Sequence, residues 1–231
     1  MLRFTPILLA IVYAVVMYRL SVWRTHRQLD AQSTELADPK LKALTDRLAD
    51  SLDLARIKVF IHEVEPVNGL AAPDGRIFLT RGFMDRYAAG EVTAEELASV
   101  IAHELGHVAL GHSRRRMIDF SGQNALRTAL AMLIGRFLPG IGPMIASGLM
   151  TLVAARLSRR DEYEADAYAS ALLIKSGIGV APQISLFDKL AHLTGSQGKG
   201  TPAWLLSHPA SAERVAAIRR NADAWTAAPL T

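Results

Sequence analysis

Residues 93–112 read Thr93-Ala94-Glu95-Glu96-Leu97-Ala98-Ser99-Val100-Ile101-Ala102-His103-Glu104-Leu105-Gly106-His107-Val108-Ala109-Leu110-Gly111-His112. Thr93 with Glu96 three positions later is a capping box, so a helix starts there. Leu97, Val100, Ile101, Leu105 and Val108 recur at helical spacing and give it one apolar face. The helix is expected to run from about Thr93 to about His112, packed against a core. Inside it stands His103-Glu104-Leu105-Gly106-His107. Histidines four positions apart lie one turn from each other on the same face. Their imidazoles can close on one metal ion, and zinc is the usual occupant of such a pair. Glu104 is then placed to reach a water at the metal, which is the arrangement of a zinc hydrolase.

Composition narrows the alternatives. A chain of 231 residues suits one domain with a real core. The absence of cysteine excludes disulfides, thiolate zinc sites, a cysteine nucleophile and a lipidated N-terminal cysteine. Net charge is +4, with no long Lys/Arg block and few aromatic residues, so nucleic acid is not an expected partner. Basic residues flanking apolar stretches point to a membrane surface instead.

Two apolar regions flank the motif. Phe4 to Trp23 is about long enough to span a bilayer as a helix. Arg19, its one internal charge, can snorkel from near one end. A cleaved signal peptide needs small residues after the apolar core, and Met17-Tyr18-Arg19-Leu20 stands there instead. Residues 1–27 are therefore read as an uncleaved single-pass anchor with a basic flank. Arg19, Arg24 and Arg27 follow the span and only Arg3 precedes it, which places the downstream domain in the cytoplasm. Ala125 to Leu157 is divided by Arg127, Arg136 and Pro139-Gly140-Ile141-Gly142-Pro143. Each half is below the roughly 20 residues of a span, so a buried helical hairpin or a surface dipping into the bilayer is expected.

The remaining elements are predominantly helical. Asp38-Pro39 opens an amphipathic helix through Leu41, Leu44, Leu48 and Leu52. Ile57–Val64 and Arg76–Thr80 read as strands, the second after a Pro73-Asp74-Gly75 turn. Asn68–Ala72 forms a short third strand between them. A short helix follows at Gly82–Ala88. Asp161 to Lys175 is helical, Pro182 opens a further helix and Pro209 a last one to about Ala222.

Two histidines and a water leave zinc one protein ligand short. A third histidine at the His-Glu-x-x-His-x-x-Gly-x-x-His spacing is excluded, because Leu110 and Ser113 hold those positions. A later glutamate is the alternative. Spacing alone does not choose between Glu162 and Glu164 in Ser158-Arg159-Arg160-Asp161-Glu162-Tyr163-Glu164-Ala165-Asp166. The same acids also suit the first turn of a helix.

The chain resembles the HtpX-type and CAAX-prenyl-endopeptidase family of zinc metallopeptidases, family forty-eight. Its members carry Glu-(Tyr/Phe)-x-Ala-Asp after a Ser-Arg pair, which Ser158-Arg159 and Glu162–Asp166 match. The resemblance implies metal ligands His103, His107 and Glu162, with Glu104 catalytic and Asp166 supporting a ligand histidine. Asn68-Gly69-Leu70-Ala71-Ala72-Pro73-Asp74-Gly75-Arg76-Ile77 resembles the family's Asn-Ala-x-Ala-x-Pro-Gly-Gly-x-Ile segment, departing at Gly69 and Asp74. It implies a substrate edge at Asn68, Gly69 and Ala71, used by strand addition. The residue pattern fits an ordinary hairpin equally well. Ser207-His208-Pro209 with Arg214 resembles the family's His-Pro…Arg element. That implies a catalytic His208 stabilising an oxyanion, oriented by Arg214. From spacing alone His208 is equally a helix-start residue, and His112 reads as a cation favourable to the helix C-terminus or as a residue near the site.

The expectation is an α+β, mainly helical, zincin-like metalloprotease domain over residues 38–222, with a small three-stranded sheet. It binds one Zn2+ and hydrolyses peptide bonds in membrane or misfolded proteins from a membrane, of bacterial inner-membrane type. The rival is a chaperone or adaptor with a structural zinc site. Glu104 argues against the rival, since a structural site has no use for a base.

Overall fold

The computed structural model describes residues 5–72, 74–112, 142–195, 208 and 211–227. Helix α1 spans Thr5–Ala31 and leads into strand β1, Ser33–Glu35. Helix α2 (Pro39–Ser51) follows, then β2 (Val59–His62), β3 (Gly69–Ala71) and β4 (Ile77–Thr80). The rest is helical: α3 (Arg81–Ala88), α4 (Ala94–Ala109), α5 (Gly142–Lys175), α6 (Ala181–Gly195) and α7 (Ala212–Ala227).

Local chemistry accounts for the helix starts. Asp38 accepts the amide of Leu41 at 2.8 Å, with Pro39 in the first turn of α2. Thr93 caps α4, and Glu96 returns to the Thr93 amide at 2.8 Å, completing the capping box. Helix α7 begins after Ser211, whose hydroxyl accepts the Arg214 amide. That start lies later than Pro209 suggests.

The sheet has four strands in the order β1-β2-β4-β3, not three. The extra strand is β1, paired antiparallel to β2 from Ser33↔His62 to Glu35↔Phe60. Ser-Thr-Glu carries no apolar alternation, so only the partner strand makes it a strand. β2 and β4 run parallel, and β3 returns antiparallel beside β4. Among the described residues β3 is an outer strand with one paired edge.

Period-two alternation divides the sheet faces. Val59, Ile61, Ile77 and Leu79 pack with Leu97, Val100, Ile101 and Leu105 of α4, and with Leu41, Leu44 and Leu48 of α2. Ala169, Leu172 and Leu173 of α5 and Leu186, Phe187 and Leu190 of α6 close the same core. Phe78 faces the other way, onto Leu29 at the end of α1. The Arg76 guanidinium lies over Phe60 and Phe78 there, and pairs with Asp30 and Asp74.

The region joining the two halves of the motif differs from the expectation. Residues 142–157 are not a separate apolar element; they continue without a break into Asp161–Lys175 as the 34-residue α5. Such a helix is about 50 Å long, so the acidic run sits in its middle rather than in a first turn. Residues 125–141 lie outside the described residues. Among the described residues, no helix is long and apolar enough to cross a membrane.

Candidate metal centre

Helix α4 crosses α5 at Gly106 and Ala165. A Cβ built on Gly106 would stand 3.0 Å from the Ala165 carbonyl oxygen and 3.1 Å from its Cα. The glycine within the His-Glu-Leu-Gly-His run therefore lets one backbone approach the other. That contact brings the histidines of α4 against the acids of α5.

Four side chains converge there: His103, His107, Glu162 and His208, all buried. His103 Nε2 stands 3.2 Å from His107 Nε2 and 3.2 Å from His208 Nδ1. Glu162 Oε2 lies 3.3 Å from His103 Nε2 and 2.7 Å from His208 Nδ1, and Oε1 lies 3.5 Å from His107 Nε2. Ligand atoms at tetrahedral corners about 2.0–2.1 Å from a zinc ion are about 3.3–3.5 Å apart. Most of the separations fall close to that range. Three imidazole nitrogens turned toward one point are poor partners for each other and good partners for a cation.

Glu104 supplies a second indication. It is buried, and its Oε1 has no hydrogen-bond partner among the described residues. His208 Nε2 stands 3.4 Å from it. A buried carboxylate oxygen left without a partner is costly, and it fits a site that expects a water there.

Acids stand behind the converging histidines and set their charge. His103 Nδ1 stands 3.0 Å from Asp166 Oδ1; the separation is that of a hydrogen bond, but the approach is oblique. Asp166 is held by Arg214, whose Nε and Nη2 donate to its two oxygens at 2.6 and 2.9 Å. Arg214 is itself buried, 4.8 Å above the Phe187 ring. Burial works against a charged His103, but Asp166 and Glu162 outweigh it and raise its pKa to about 9. Burial likewise pushes Glu162 up, and its bonds to His103 and His208 more than reverse that, leaving it well below the usual carboxylate range. Asp166 is lowered in the same way, burial being outweighed by Arg214 and His103. In the absence of a metal, these acids draw a proton onto His103; the same field draws a cation.

Glu164 is not in this group. Its Oε2 lies 3.2 Å from His112 Nε2, and its Oε1 accepts from Arg160 at 2.7 Å. His112 is fully buried against His107, Nδ1 to Nδ1 at 2.9 Å, so it lies near the site rather than as a cation at the helix terminus. Its spacing five residues after His107 carries no ligand signature, so spacing offered no signal. Asn68, Gly69 and Ala71 lie on or beside β3, and Gly69 packs directly on α4. A Cβ on Gly69 would come within 2.7 Å of Val100 Cγ1 and 3.7 Å of Glu104 Cγ. Val100 occupies the space that a methyl at this position would need.

Peptidase family M48 matches residues 35–222. The chain belongs to that family. It is 34% identical over 189 residues to the metalloprotease LoiP of Escherichia coli, covering 80% of this chain and 70% of LoiP. It is 29% identical over 180 residues to the metalloprotease YcaL of the same organism, covering 78% and 68%. It is 31% identical over 204 residues to a protease HtpX homolog of Salinibacter ruber, covering 80% and 70%. This M48 protein is thus a zinc-dependent metalloendopeptidase that hydrolyses peptide bonds, and its His-rich buried group suits zinc.

Proposed function

We propose that this M48 peptidase holds one zinc ion on His103, His107 and Glu162, and that Glu104 is its general base. The observation that carries this reading is the buried convergence of those ligands beside the unpartnered Glu104 Oε1. When bound, the cation supplies Lewis acidity toward a water and a peptide carbonyl. Glu104 accepts the proton of the attacking water and returns it to the leaving amine. Asp166 fixes the His103 ring with its proton on Nδ1, and Arg214 fixes Asp166. A catalytic zinc site keeps one position open, so three of the four converging side chains are ligands. His208 is the one that does not come from a helix. It is assigned to the open side, where its ring can stabilise the oxyanion.

Substrate is an extended stretch of a membrane or misfolded protein, laid along the outer edge of β3 at Asn68, Gly69 and Ala71. Strand addition there runs the scissile bond past Glu104, which Gly69 adjoins. The peptidase domain occupies 38–222, and α1 tethers it to a bilayer. Val12, Tyr13, Val15, Val16, Leu20 and Trp23 are exposed on α1, which supports that tether. The domain then lies on the cytoplasmic side.

Glu104→Gln is expected to lower casein cleavage by about 10²–10⁴-fold with one equivalent of zinc still bound. Full activity in that variant overturns the assignment. Glu162→Ala is expected to lose zinc by metal analysis and Glu164→Ala to keep it. A reporter fused to the C-terminus, active on only one face of the membrane, tests the topology.

A further inference from the structure

We propose that His112 is a positioning residue for the metal. It accepts the Nδ1 proton of His107, while its own proton on Nε2 is held by the carboxylate of Glu164. The proposal rests on the reading of His107 as a metal ligand.

The geometry determines where each proton sits. His107 turns Nε2 toward His103 and Glu162. A neutral imidazole that gives its Nε2 lone pair to a cation carries its single proton on Nδ1. That proton faces His112 Nδ1, 2.9 Å away, so His112 Nδ1 must be the acceptor. The one proton left to a neutral His112 then lies on Nε2. There it meets Glu164 Oε2 at 3.2 Å, with Asp161 Oδ1 at 3.9 Å. Arg160 holds the other oxygen of Glu164 and keeps that carboxylate in place. Each nitrogen in the chain has one role, and no two donors face each other.

The arrangement mirrors the other ligand. His103 is backed directly by Asp166, whereas His107 is backed by a carboxylate one imidazole further away. Such backing orients the ligand ring and raises its basicity. It also answers a competing reading of the same cluster. His112, Asp161 and Glu164 could together hold a cation of their own. A metal on His112 Nε2 would force the proton onto His112 Nδ1, facing the Nδ1 proton of His107 at 2.9 Å. Donor would then oppose donor, so the two sites cannot be filled together by neutral histidines.

The test compares zinc binding by the full chain with that of His112→Leu, His112→Ala and His112→Asn, using competition with a chromophoric chelator. The Asn Oδ1 occupies the place of the imidazole Nδ1 and can still accept from His107, whereas Leu and Ala offer no acceptor. The Leu and Ala variants are expected to bind zinc about 10–100-fold more weakly, and the Asn variant within about threefold of the unchanged protein. Circular dichroism of the metal-free proteins identifies a variant that has not folded. If both Leu and Ala fail to fold, the Asn variant decides alone, a tenfold loss overturning the proposal. Equal loss in all three variants, or wild-type affinity in Leu, overturns it, as does a second tightly bound equivalent of zinc in the unchanged protein. A His107→Ala variant that still binds zinc at wild-type affinity would instead remove the ligand reading itself. Cobalt-substituted protein gives a second readout: its visible d–d bands should shift in His112→Leu and stay in place in His112→Asn.

Discussion

Helix α4 carries two buried glutamates, and its two ends treat them in opposite ways. At the N-terminal end Glu96 is fully engaged. Its Oε2 accepts from the Thr93 amide at 2.8 Å and from Lys189 Nζ at 2.9 Å, and its Oε1 from the Ser185 hydroxyl at 2.6 Å. It caps its own helix and ties α6 to it. Two turns on, Glu104 is equally buried, and its Oε1 has no hydrogen-bond partner among the described residues. A buried carboxylate with every acceptor satisfied stabilises the fold; one with an acceptor left open carries a cost that the fold does not offset.

The sharpest way to break this comparison is to neutralise each glutamate in turn. Glu104→Gln should lower the rate of casein cleavage by about 10²–10⁴-fold, the usual worth of a general base, with little change in melting temperature. Glu96→Gln should do the reverse, leaving the rate within about twofold and costing about 1–3 kcal/mol in denaturant unfolding, since it weakens charged hydrogen bonds. A rate collapse in the Glu96 variant would erase the distinction.

A second test acts on the approach of α5 to the end of α4 that carries His103 and His107. Gly106→Val places two methyls where the Ala165 carbonyl stands. The helices should be forced apart, with zinc content by metal analysis falling well below one equivalent. Ser99→Ala, toward the other end of α4, should leave it at one.

The two ends also predict opposite pH responses. In the metal-free protein the raised pKa of His103 means that its favourable contribution to stability is complete below about 6.5. It is lost as pH rises through about 9. A cation must displace that proton, so zinc affinity should tighten by up to about tenfold per pH unit between neutrality and that value. Chelator competition at a series of pH values reads it directly. Glu96 has a lowered pKa, burial being outweighed by Ser185, Lys189 and the Thr93 amide. Its contribution is present above about 4.3, the unperturbed value, and is lost as pH falls through the lowered one. Metal-free protein should therefore lose the Glu96 contribution in acid and the His103 contribution in alkali, and melting curves across pH resolve the two.

The smallest effect concerns the edge beside Glu104. Gly69→Ala should press on Val100 and cost about 1–2 kcal/mol, with KM for peptide substrates rising more than kcat falls. Adding Val100→Ala should restore both stability and KM.

What could be read directly from the chain was local. The capping box, the apolar face of α4 and the pairing of His103 with His107 follow from spacings within a few turns, where helical geometry fixes which residues are neighbours. Glu104 came with them. Glu162 was reached through a resemblance in the pattern around it, because no spacing rule spans the stretch from His107 to Glu162. The structure places Glu162 with the histidines and turns Glu164 toward His112.

Spacing and pattern along the chain yield one helix, two histidines on one face of it, a glutamate beside them and a family. The remaining placements come from contacts between distant segments. The tertiary structure paired Ser33–Glu35 with β2, joined residues 142–157 to the acidic helix, brought His208 in from beyond α6 and buried His112 against His107. Those placements depend on backbones meeting across the chain, as at Gly106 and Ala165. Such contacts leave no periodicity in the residues that make them.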